Sequence, residues 1–417
     1  MTERERLLFV SPRFLFPVDS GGKIRTTQIL RGMKGGRYQI TLASPAPPDA
    51  PVRFRSELQS VCDHFVSWPE ARRLPGHSLW RLRHVAGSLP IPVATDRSYA
   101  GRRLVARQMQ LAPEVAVFDF PHAHVLAHAV PGVARVMFTH NVEAEIFRRH
   151  AEVAANPAAR WLWNQQFRRM QAFEAEVLRQ YDSVIAVSQR DAAAFRKEYG
   201  VEQCRIIETG VDLDYFAYGE PPVGHDVVFS GSMDWLANAD GIRYFLDEVW
   251  AAIVADVPQA RMIVVGRTPP ADLVERARAA GVNWTFTGFV DDVRGYLRRA
   301  SAYVIPLRVG GGTRLKVFEA MASGCPVVST SIGVEGLPVE PGTHYLRGDD
   351  AKELAQGVVR LLRERQTALE LSRTARAYVE ERFSFQRVAR HFESFCAAAA
   401  ESVRHRGPGP QARLSSA

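Results

Sequence analysis

Short runs of apolar residues alternate along this chain with longer segments in which apolar residues recur at helical spacing. The runs are rich in β-branched and aromatic residues, and the first six occupy residues 7–12, 38–45, 115–120, 134–140, 183–188 and 205–210. Continuous apolar strands of this kind are typical of parallel sheets that helices cover on both faces. The pattern therefore predicts an α/β, doubly wound fold.

The alternation stops in a polar stretch at residues 211–226, which holds Pro221, Pro222 and two glycines and is typical of a linker. It then restarts, and five more strands are predicted at residues 226–232, 261–266, 283–290, 302–307 and 326–331. After residue 400 no apolar periodicity is left. We therefore expect two Rossmann-like domains at 1–212 and 213–383, a C-terminal helix at 384–400 and a disordered tail at 401–417.

Composition and charge narrow the class of protein. With 417 residues, of which 46% are hydrophobic, the chain is too long for one ordinary core. No apolar run approaches the ~18 residues of a membrane-spanning helix, and no leader pattern opens the chain, so we expect a cytoplasmic protein. Its four cysteines form no CxxC pair, which argues against a disulfide framework or a zinc knuckle. The net charge of +8 favours anionic partners such as phosphorylated small molecules, acidic lipid surfaces or nucleic acid.

A glycine-rich loop follows the predicted strand at 302–307 and leads into a helix. Glycines let the backbone approach a ligand closely, and the free N–H groups of a helix start attract negative charge. Thr313 is suited to cap that helix, and two cations lie at its beginning. The loop therefore predicts an anion site that fits a diphosphate, formed by Gly310, Gly311, Gly312, Thr313, Arg314 and Lys316.

Glu319 lies one turn beyond Lys316 on the same predicted helix. A carboxylate that accepts two hydrogen bonds suits a ribose diol, as in dinucleotide sites. A glutamate in a helix is otherwise most often a solvated charge.

A second glycine-containing loop, at residues 14–23, follows the first strand and includes Gly21 and Gly22. It does not form a P-loop, because Pro17 replaces the first glycine and Ile24 replaces the Ser or Thr that holds magnesium. No GxGxxG follows any predicted strand, which argues against a nicotinamide cofactor. We expect no cofactor.

Several segments together resemble one enzyme family. GGGTRLKVFEAMASGCPVVST, residues 310–330, resembles the donor-site signature of GT-B glycosyltransferases of the large retaining family 4. Residues 286–307 resemble the stretch that precedes this signature, and ETGVDLDYF at 208–216 resembles the interdomain segment. THN at 139–141 lies where the acceptor domain carries a histidine. The resemblance implies a GT-B fold, with two Rossmann-like domains facing across a cleft and a last helix that crosses back to the first domain.

The resemblance also implies an activity and a set of site residues. It implies transfer of a sugar, with retention, from a nucleotide diphosphate sugar in the C-terminal domain to a hydroxyl group of a glycan or lipid-linked acceptor in the N-terminal domain, in cell-surface or exopolysaccharide biosynthesis. Because Arg314, Lys316 and helix N–H groups can offset the charge of the leaving diphosphate, we expect catalysis without a metal. Glu319 corresponds to the second Glu of the family's E-x7-E motif, whereas Gly311 stands where the first Glu is expected. The family's usual Arg after the first C-terminal strand is also missing, and Gly231 and Ser232 stand in its place, so we expect Arg314, Lys316 and Arg267 to carry the diphosphate charge. The predicted catalytic residues are His140, Arg314 and Lys316; the predicted donor contacts are Gly310, Gly311, Gly312, Thr313, Glu319, Gly231, Ser232 and Arg267; the predicted acceptor contacts are Gly21, Gly22 and Asn141.

Other interpretations compete with this one. A GT-B sugar-nucleotide epimerase shares the donor site but needs carboxylates that face the sugar, and a nucleic-acid-binding protein agrees with the charge but lacks a recognition module. Asp212 and Asp214 form a DxD sequence, which we interpret as a turn. His122, His124 and His128 have the spacing of metal ligands, but we expect no metal there. The helix with Trp161 and Trp163 is interpreted as a core helix, with contact to the inner membrane surface as the alternative.

Overall fold

The computed structural model describes residues 4–70, 85, 87–152, 156–309 and 315–406. The chain divides into two compact units. The first consists of Met1–Glu208 with Gln386–Ala417, and the second of Thr209–Phe385. The sequence places the corresponding boundaries after residues 212 and 383.

The first unit is built on a seven-stranded parallel sheet with the order β3-β2-β1-β4-β5-β6-β7. In register, Phe9 lies between Leu42 and Val117. Successive residues of β1 face opposite sides, because Leu7 and Phe9 belong to one buried cluster and Leu8 and Val10 to another. The strands are β1 (Glu5–Val10), β2 (Tyr38–Ala46), β3 (His64–Pro69), β4 (Val115–Asp119), β5 (Ala134–Phe138), β6 (Ser183–Ala186) and β7 (Cys204–Ile206).

Helices cover both faces of this sheet. The last of them, Phe385–Arg406, packs on the first unit through Val388, Ala389, Phe392 and Cys396, which are all buried. The described helices of this unit are α1 (Gly21–Met33), α2 (Ala50–Arg53), α3 (Arg55–Val61), α4 (Ile91–Thr95), α5 (Tyr99–Gln110), α6 (Glu143–Glu152), α7 (Pro157–Leu178) and α8 (Gln189–Lys197), with a 3-10 turn at Pro121–Leu126.

The second unit is also built on a parallel sheet, which has six strands in the order β10-β9-β8-β11-β12-β13. Its strands are β8 (Asp226–Ser230), β9 (Arg261–Val265), β10 (Trp284–Phe286), β11 (Ala302–Ile305), β12 (Val327–Ser329) and β13 (Leu346–Arg347). Its described helices are α9 (Leu236–Tyr244), α10 (Trp250–Asp256), α11 (Ala271–Ala279), α12 (Arg294–Leu297), α13 (Leu315–Ala322), α14 (Ala351–Arg363) and α15 (Arg365–Phe383). A π turn at Phe245–Val249 continues α9. The last helix of the chain, Phe385–Arg406, which packs on the first unit, is α16.

All eleven strands predicted from the sequence are present, and within the described residues the sequence missed two strands, β3 and β13. Helix α16 runs to Arg406. Its last turn therefore occupies residues that the sequence assigns to a disordered tail, and Val403 packs against the first core. Residues 407–417 lie outside the described residues. Among the described helices, none has the length and apolar content that crossing a membrane requires.

Candidate active site

The carboxyl ends of strands β8 and β11 mark the point where the strand order of the second sheet reverses, and β1 and β4 mark it in the first sheet. Ligands of doubly wound folds bind at such points, because the loops there diverge and leave a crevice. Most of the predicted site residues follow these strands or their neighbours.

Helix α13 follows β11 and carries two of the predicted site residues, the catalytic candidate Lys316 and the donor contact Glu319. The glycine-rich loop that precedes it, Gly310, Gly311, Gly312 and Thr313, lies outside the described residues, as does Arg314. Their predicted contacts with a diphosphate stay predictions.

Lys316 lies beside the loop that follows β8. Its Nζ donates a hydrogen bond to Oδ1 of Asn238 at 3.0 Å and lies 4.2 Å above the centre of the Phe229 ring. The side-chain amide of Asn238 in turn donates to the carbonyl oxygen of Ser232 at 2.8 Å. Gly231 makes room for this arrangement, because a Cβ there would lie 2.5 Å from Nζ of Lys316 and 2.9 Å from Nδ2 of Asn238.

Arg267, in the loop that follows β9, joins the same cluster. Its Nε donates to Oγ of Ser232 at 2.8 Å, and its guanidinium lies 3.3 Å from Asp234. The structure therefore brings together Gly231, Ser232, Arg267 and Lys316, although they come from the loop after β8, the loop after β9 and helix α13. Sequence reasoning missed Asn238 and Phe229 as members of the cluster.

Glu319 is half-buried one helical turn beyond Lys316. Burial raises the pKa of its carboxyl group to about 7, and the positive charge of Lys316 counteracts this in part. The group is therefore poised to ionise near neutral pH, and in the ionised form it accepts hydrogen bonds. The predicted role, contact with a ribose diol, requires such an acceptor.

In the first unit, His140 follows β5 and is buried, with 2% of its surface exposed. Its Nδ1 lies 3.1 Å from the guanidinium of Arg25, and its Nε2 lies 2.7 Å from Oδ1 of Asp119. A guanidinium can only donate, so Nδ1 accepts and Nε2 carries the proton that is donated to Asp119. Burial lowers the pKa of His140, although Asp119 counteracts this, so the neutral ring is favoured.

Asp119 organises this buried cluster. Besides His140, its carboxylate accepts hydrogen bonds from Oγ of Ser11 at 3.1 Å and Oγ1 of Thr26 at 3.1 Å. It ends β4, at the point where the strand order of the sheet reverses. Sequence reasoning missed Asp119, although its position at the end of a predicted strand is a signal that could have identified it.

One of the predicted acceptor residues, Gly22, packs against Phe120. The Phe120 ring stacks on His140 with a centroid distance of 4.0 Å, and a Cβ at Gly22 would lie 2.7 Å from its Cζ. Gly21 begins helix α1 and is exposed, and Asn141 is half-buried beside His140. The absence of a side chain at Gly22 therefore allows helix α1 to lie directly on Phe120.

The residues of the competing metal interpretations make other contacts. Within the described ranges, no group of three or more His, Cys, Asp and Glu side chains could hold a metal ion. His122 faces Asp96 at 3.3 Å, and His124 faces the hydroxyl of Tyr181 at 3.2 Å. Oδ1 of Asp212 accepts from the backbone N–H of Tyr215 at 2.9 Å, as in a turn.

The helix with the two tryptophans, α7, divides them between two environments. Trp163 stacks on His150 and packs near Phe147, with centroid distances of 4.7 and 6.0 Å. Trp161 is 61% exposed. The helix is thus a core helix along one face, with one tryptophan outside the core.

Comparisons with known proteins agree with this architecture. The family model "Glycosyltransferase Family 4" matches residues 20–215, and the model "Glycosyl transferases group 1" matches residues 224–364. The two matches lie one in each half of the chain.

Similar proteins include a phosphatidyl-myo-inositol mannosyltransferase of Mycobacterium leprae, 25% identical over 84% of this chain and 86% of its own. An MMP alpha-(1->4)-mannosyltransferase of Mycolicibacterium hassiacum is 27% identical over 58% of this chain, and the match spans only 60% of that protein's length. Among solved structures, sucrose-phosphate synthase of Thermosynechococcus elongatus superimposes with a TM-score of 0.65 at 19% identity, over 96% of this chain and 100% of its own, which supports the GT-B fold. The chain therefore belongs to the glycosyltransferases of group 1 and family 4 and has the GT-B fold.

Proposed function

We propose that this protein transfers a sugar from a nucleoside diphosphate sugar to the hydroxyl group of a glycan or of a lipid-linked acceptor. The observation that carries the proposal is the pair Lys316 and Glu319 on helix α13, with Lys316 held at the β8 loop. A cation suits the diphosphate and a carboxylate one turn away suits the ribose, so a single helix offers contacts for two parts of one donor.

We propose a nucleoside diphosphate mannose as the donor, since two relatives carry the name mannosyltransferase. In the reaction, the bond between the anomeric carbon and the diphosphate oxygen breaks. The acceptor oxygen bonds to that carbon, and the hydroxyl proton is released. We propose retention of configuration on the family resemblance alone.

The leaving diphosphate gains negative charge, and groups that offset this charge accelerate the step. Lys316 at the start of helix α13 provides positive charge in the second unit, whereas Arg267 is ion-paired with Asp234, and we propose that no metal or further cofactor is needed. Turnover should survive EDTA. If chelation abolished turnover and manganese restored it, the metal-free mechanism would be wrong.

The acceptor is proposed to bind the first unit near Phe120 and the buried pair His140 and Asp119. The exposed Trp161 lies beside the exposed cations Arg160 and Arg168 on helix α7. An indole among cations suits a membrane surface. We propose that this patch contacts the inner face of the membrane when the acceptor is attached to a lipid, and that the pathway builds a cell-surface polysaccharide.

The donor assignment is tested by nucleotide binding and turnover. The full chain is incubated with GDP-mannose, UDP-glucose and ADP-glucose, and release of nucleoside diphosphate is followed. Replacement of Glu319 by Ala removes charge-assisted hydrogen bonds worth ~1.5 to 3 kcal/mol, so affinity for the nucleoside diphosphate should fall on the order of tenfold to a hundredfold. Glu275→Ala, an exposed glutamate of helix α11, is the matched control. Unchanged affinity in Glu319→Ala would overturn the ribose assignment.

A further inference from the structure

We infer that Asn238 is a positioning residue for the transfer reaction: it fixes the Lys316 ammonium group at the place where the donor diphosphate binds. This inference rests on the proposed function, because Lys316 is taken to contact the diphosphate. Asn238 itself contacts no reacting atom. It acts through Lys316.

The side-chain amide of Asn238 has a defined orientation. The side chain is 6% exposed, on the first turn of helix α9. A carbonyl oxygen can only accept, so the contact of 2.8 Å with Ser232 O identifies the NH2 group as the donor there. The amide oxygen therefore points the other way, toward Lys316.

The ammonium group of Lys316 is held in a defined position. Lysine has a flexible four-carbon stem, and holding its end in one place costs conformational entropy. Here Nζ is held by Oδ1 of Asn238 at 3.0 Å and by the Phe229 ring at 4.2 Å. These two groups are uncharged, so neither of them cancels the charge that a diphosphate needs. An aspartate at position 238 would cancel it.

The backbone at Gly231 allows the contact between Asn238 and Lys316. Gly231 approaches both partners so closely that any Cβ would collide with Nζ of Lys316 and Nδ2 of Asn238. The loop after β8 thus has a shape that fits the pair Asn238 and Lys316. Since these residues are 78 positions apart in the chain, the pair exists only in the folded unit.

A double-mutant cycle tests the inference. Turnover of the best donor from the panel above is measured for wild type, Asn238→Ala, Lys316→Ala and the double variant. If Asn238 acts through Lys316, Asn238→Ala should lower kcat about tenfold alone and less than twofold when Lys316 is already Ala. The KM for the donor should change less than kcat, because the charge matters most as the diphosphate leaves.

A variant that changes the charge at position 238 provides a second test. Asn238→Asp keeps the shape but puts a carboxylate against Lys316 and removes the hydrogen bond that Nδ2 donates to Ser232 O, so kcat should fall at least as far as in Asn238→Ala. Asn283→Asp, which makes the same change at an exposed position of the same unit, should leave kcat unchanged. Thermal unfolding of each variant shows whether the second unit is still folded.

The outcomes are distinguishable. If the wild-type protein releases nucleoside diphosphate but the losses in the cycle multiply independently, Asn238 has a structural role only and the inference is wrong. Retention of full kcat in Asn238→Asp would also overturn it. If the wild-type protein turns over none of the nucleotide sugars, the proposed function fails, and the inference fails with it.

Discussion

Burial sets the charge of the carboxylate next to Lys316. Glu319 is half-buried, and burial raises the pKa of its carboxyl group to about 7. Below that pH the group is protonated, and above it the group is an acceptor with full charge. A ribose diol donates hydrogen bonds, so the form of Glu319 that suits a donor nucleotide is the ionised one.

We therefore expect nucleoside diphosphate affinity to rise with pH. Between pH 6 and 8, ionisation of a group with a pKa of about 7 goes from about one tenth to nine tenths, so affinity should rise roughly tenfold, or ~1.4 kcal/mol. Calorimetric titrations at pH 6, 7 and 8 measure this. Glu319→Gln serves as the control, because any titration of the ligand phosphate itself persists in it. Parallel pH profiles for wild type and Glu319→Gln would contradict the prediction.

At the scale of elements, helix α6 begins directly after the loop that carries His140 and Asn141, and another helix caps it. Glu174 of helix α7 accepts hydrogen bonds from the backbone N–H groups of Glu143 and Ala144, both at 2.9 Å. Tyr199 donates a third at 3.3 Å. The buried carboxyl group thus satisfies N–H groups that a helix start leaves without partners.

Glu174 predicts a pH-dependent stability of the first unit. Burial raises the pKa of its carboxyl group to about 8, above the value of an unfolded chain, so the folded state binds the proton more tightly. The resulting stabilisation is complete at low pH and is lost as the pH rises toward 8. Between pH 5.5 and 8 the loss is on the order of 3 kcal/mol.

Urea unfolding at the two pH values measures this loss. Glu174→Gln keeps an acceptor but cannot ionise, so the difference between wild type and variant isolates the contribution of Glu174 from that of other groups. Equal pH dependence in the two proteins would show that Glu174 does not titrate in this range.

At the scale of the whole molecule, each unit has its own sheet and its own buried clusters, yet the first unit is completed by the end of the chain. Phe392 of helix α16 is fully buried and packs edge-on against Phe138 of β5, with a centroid distance of 5.0 Å. Because Gln386–Ala417 belong to the first unit, the C-terminal helix stabilises the half of the protein that begins the chain.

We expect Phe392→Ala to destabilise the first unit selectively. Removal of a buried phenylalanine costs about 3 to 5 kcal/mol. Donor nucleotide binding, which we place in the second unit, should persist in this variant at temperatures where the first unit is still folded. Unfolding followed by circular dichroism, together with nucleotide titrations, measures both effects. Loss of nucleotide affinity in parallel with stability would contradict the separation of the two units.

The charge of the molecule and the exposed Trp161 lead to a prediction about membranes. The chain has a net charge of +8, and each Lys or Arg near an anionic bilayer contributes about 1 kcal/mol of attraction that salt screens. The protein should therefore sediment with phosphatidylglycerol vesicles at low ionic strength and be released at high ionic strength. Trp161→Ala should weaken sedimentation severalfold and leave donor hydrolysis unchanged.

Exposed Tyr99, on helix α5 of the same unit, provides a matched control, and Tyr99→Ala should sediment like wild type. If wild-type protein ignores vesicles at every salt concentration, the proposed membrane contact is wrong, and a soluble acceptor is favoured.

Most of the fold follows from local pattern, and the exceptions have a physical reason. The strand at His64–Pro69 lies at the edge of the first sheet, and of its six residues only Trp68 is buried, so its sequence lacks a continuous apolar run. The strand at Leu346–Arg347 has only two residues, too few for any periodicity. Helix α16 extends to Arg406 because Val403 still packs on the core, a contact that the local sequence does not reveal.

The sequence alone determined the α/β alternation, the two halves, and the candidates Lys316 and Glu319, because these depend on residues close together in the chain. Tertiary structure decided how such candidates are held. Asn238 meets Lys316 across 78 residues, and Asp119 meets Thr26 across 93. A hydrogen bond requires two atoms within about 3 Å, and between distant residues that distance is set by how strands align at the end of a sheet. Local pattern therefore identifies which charged groups are available, and packing of the sheet determines which neutral partners hold them in place.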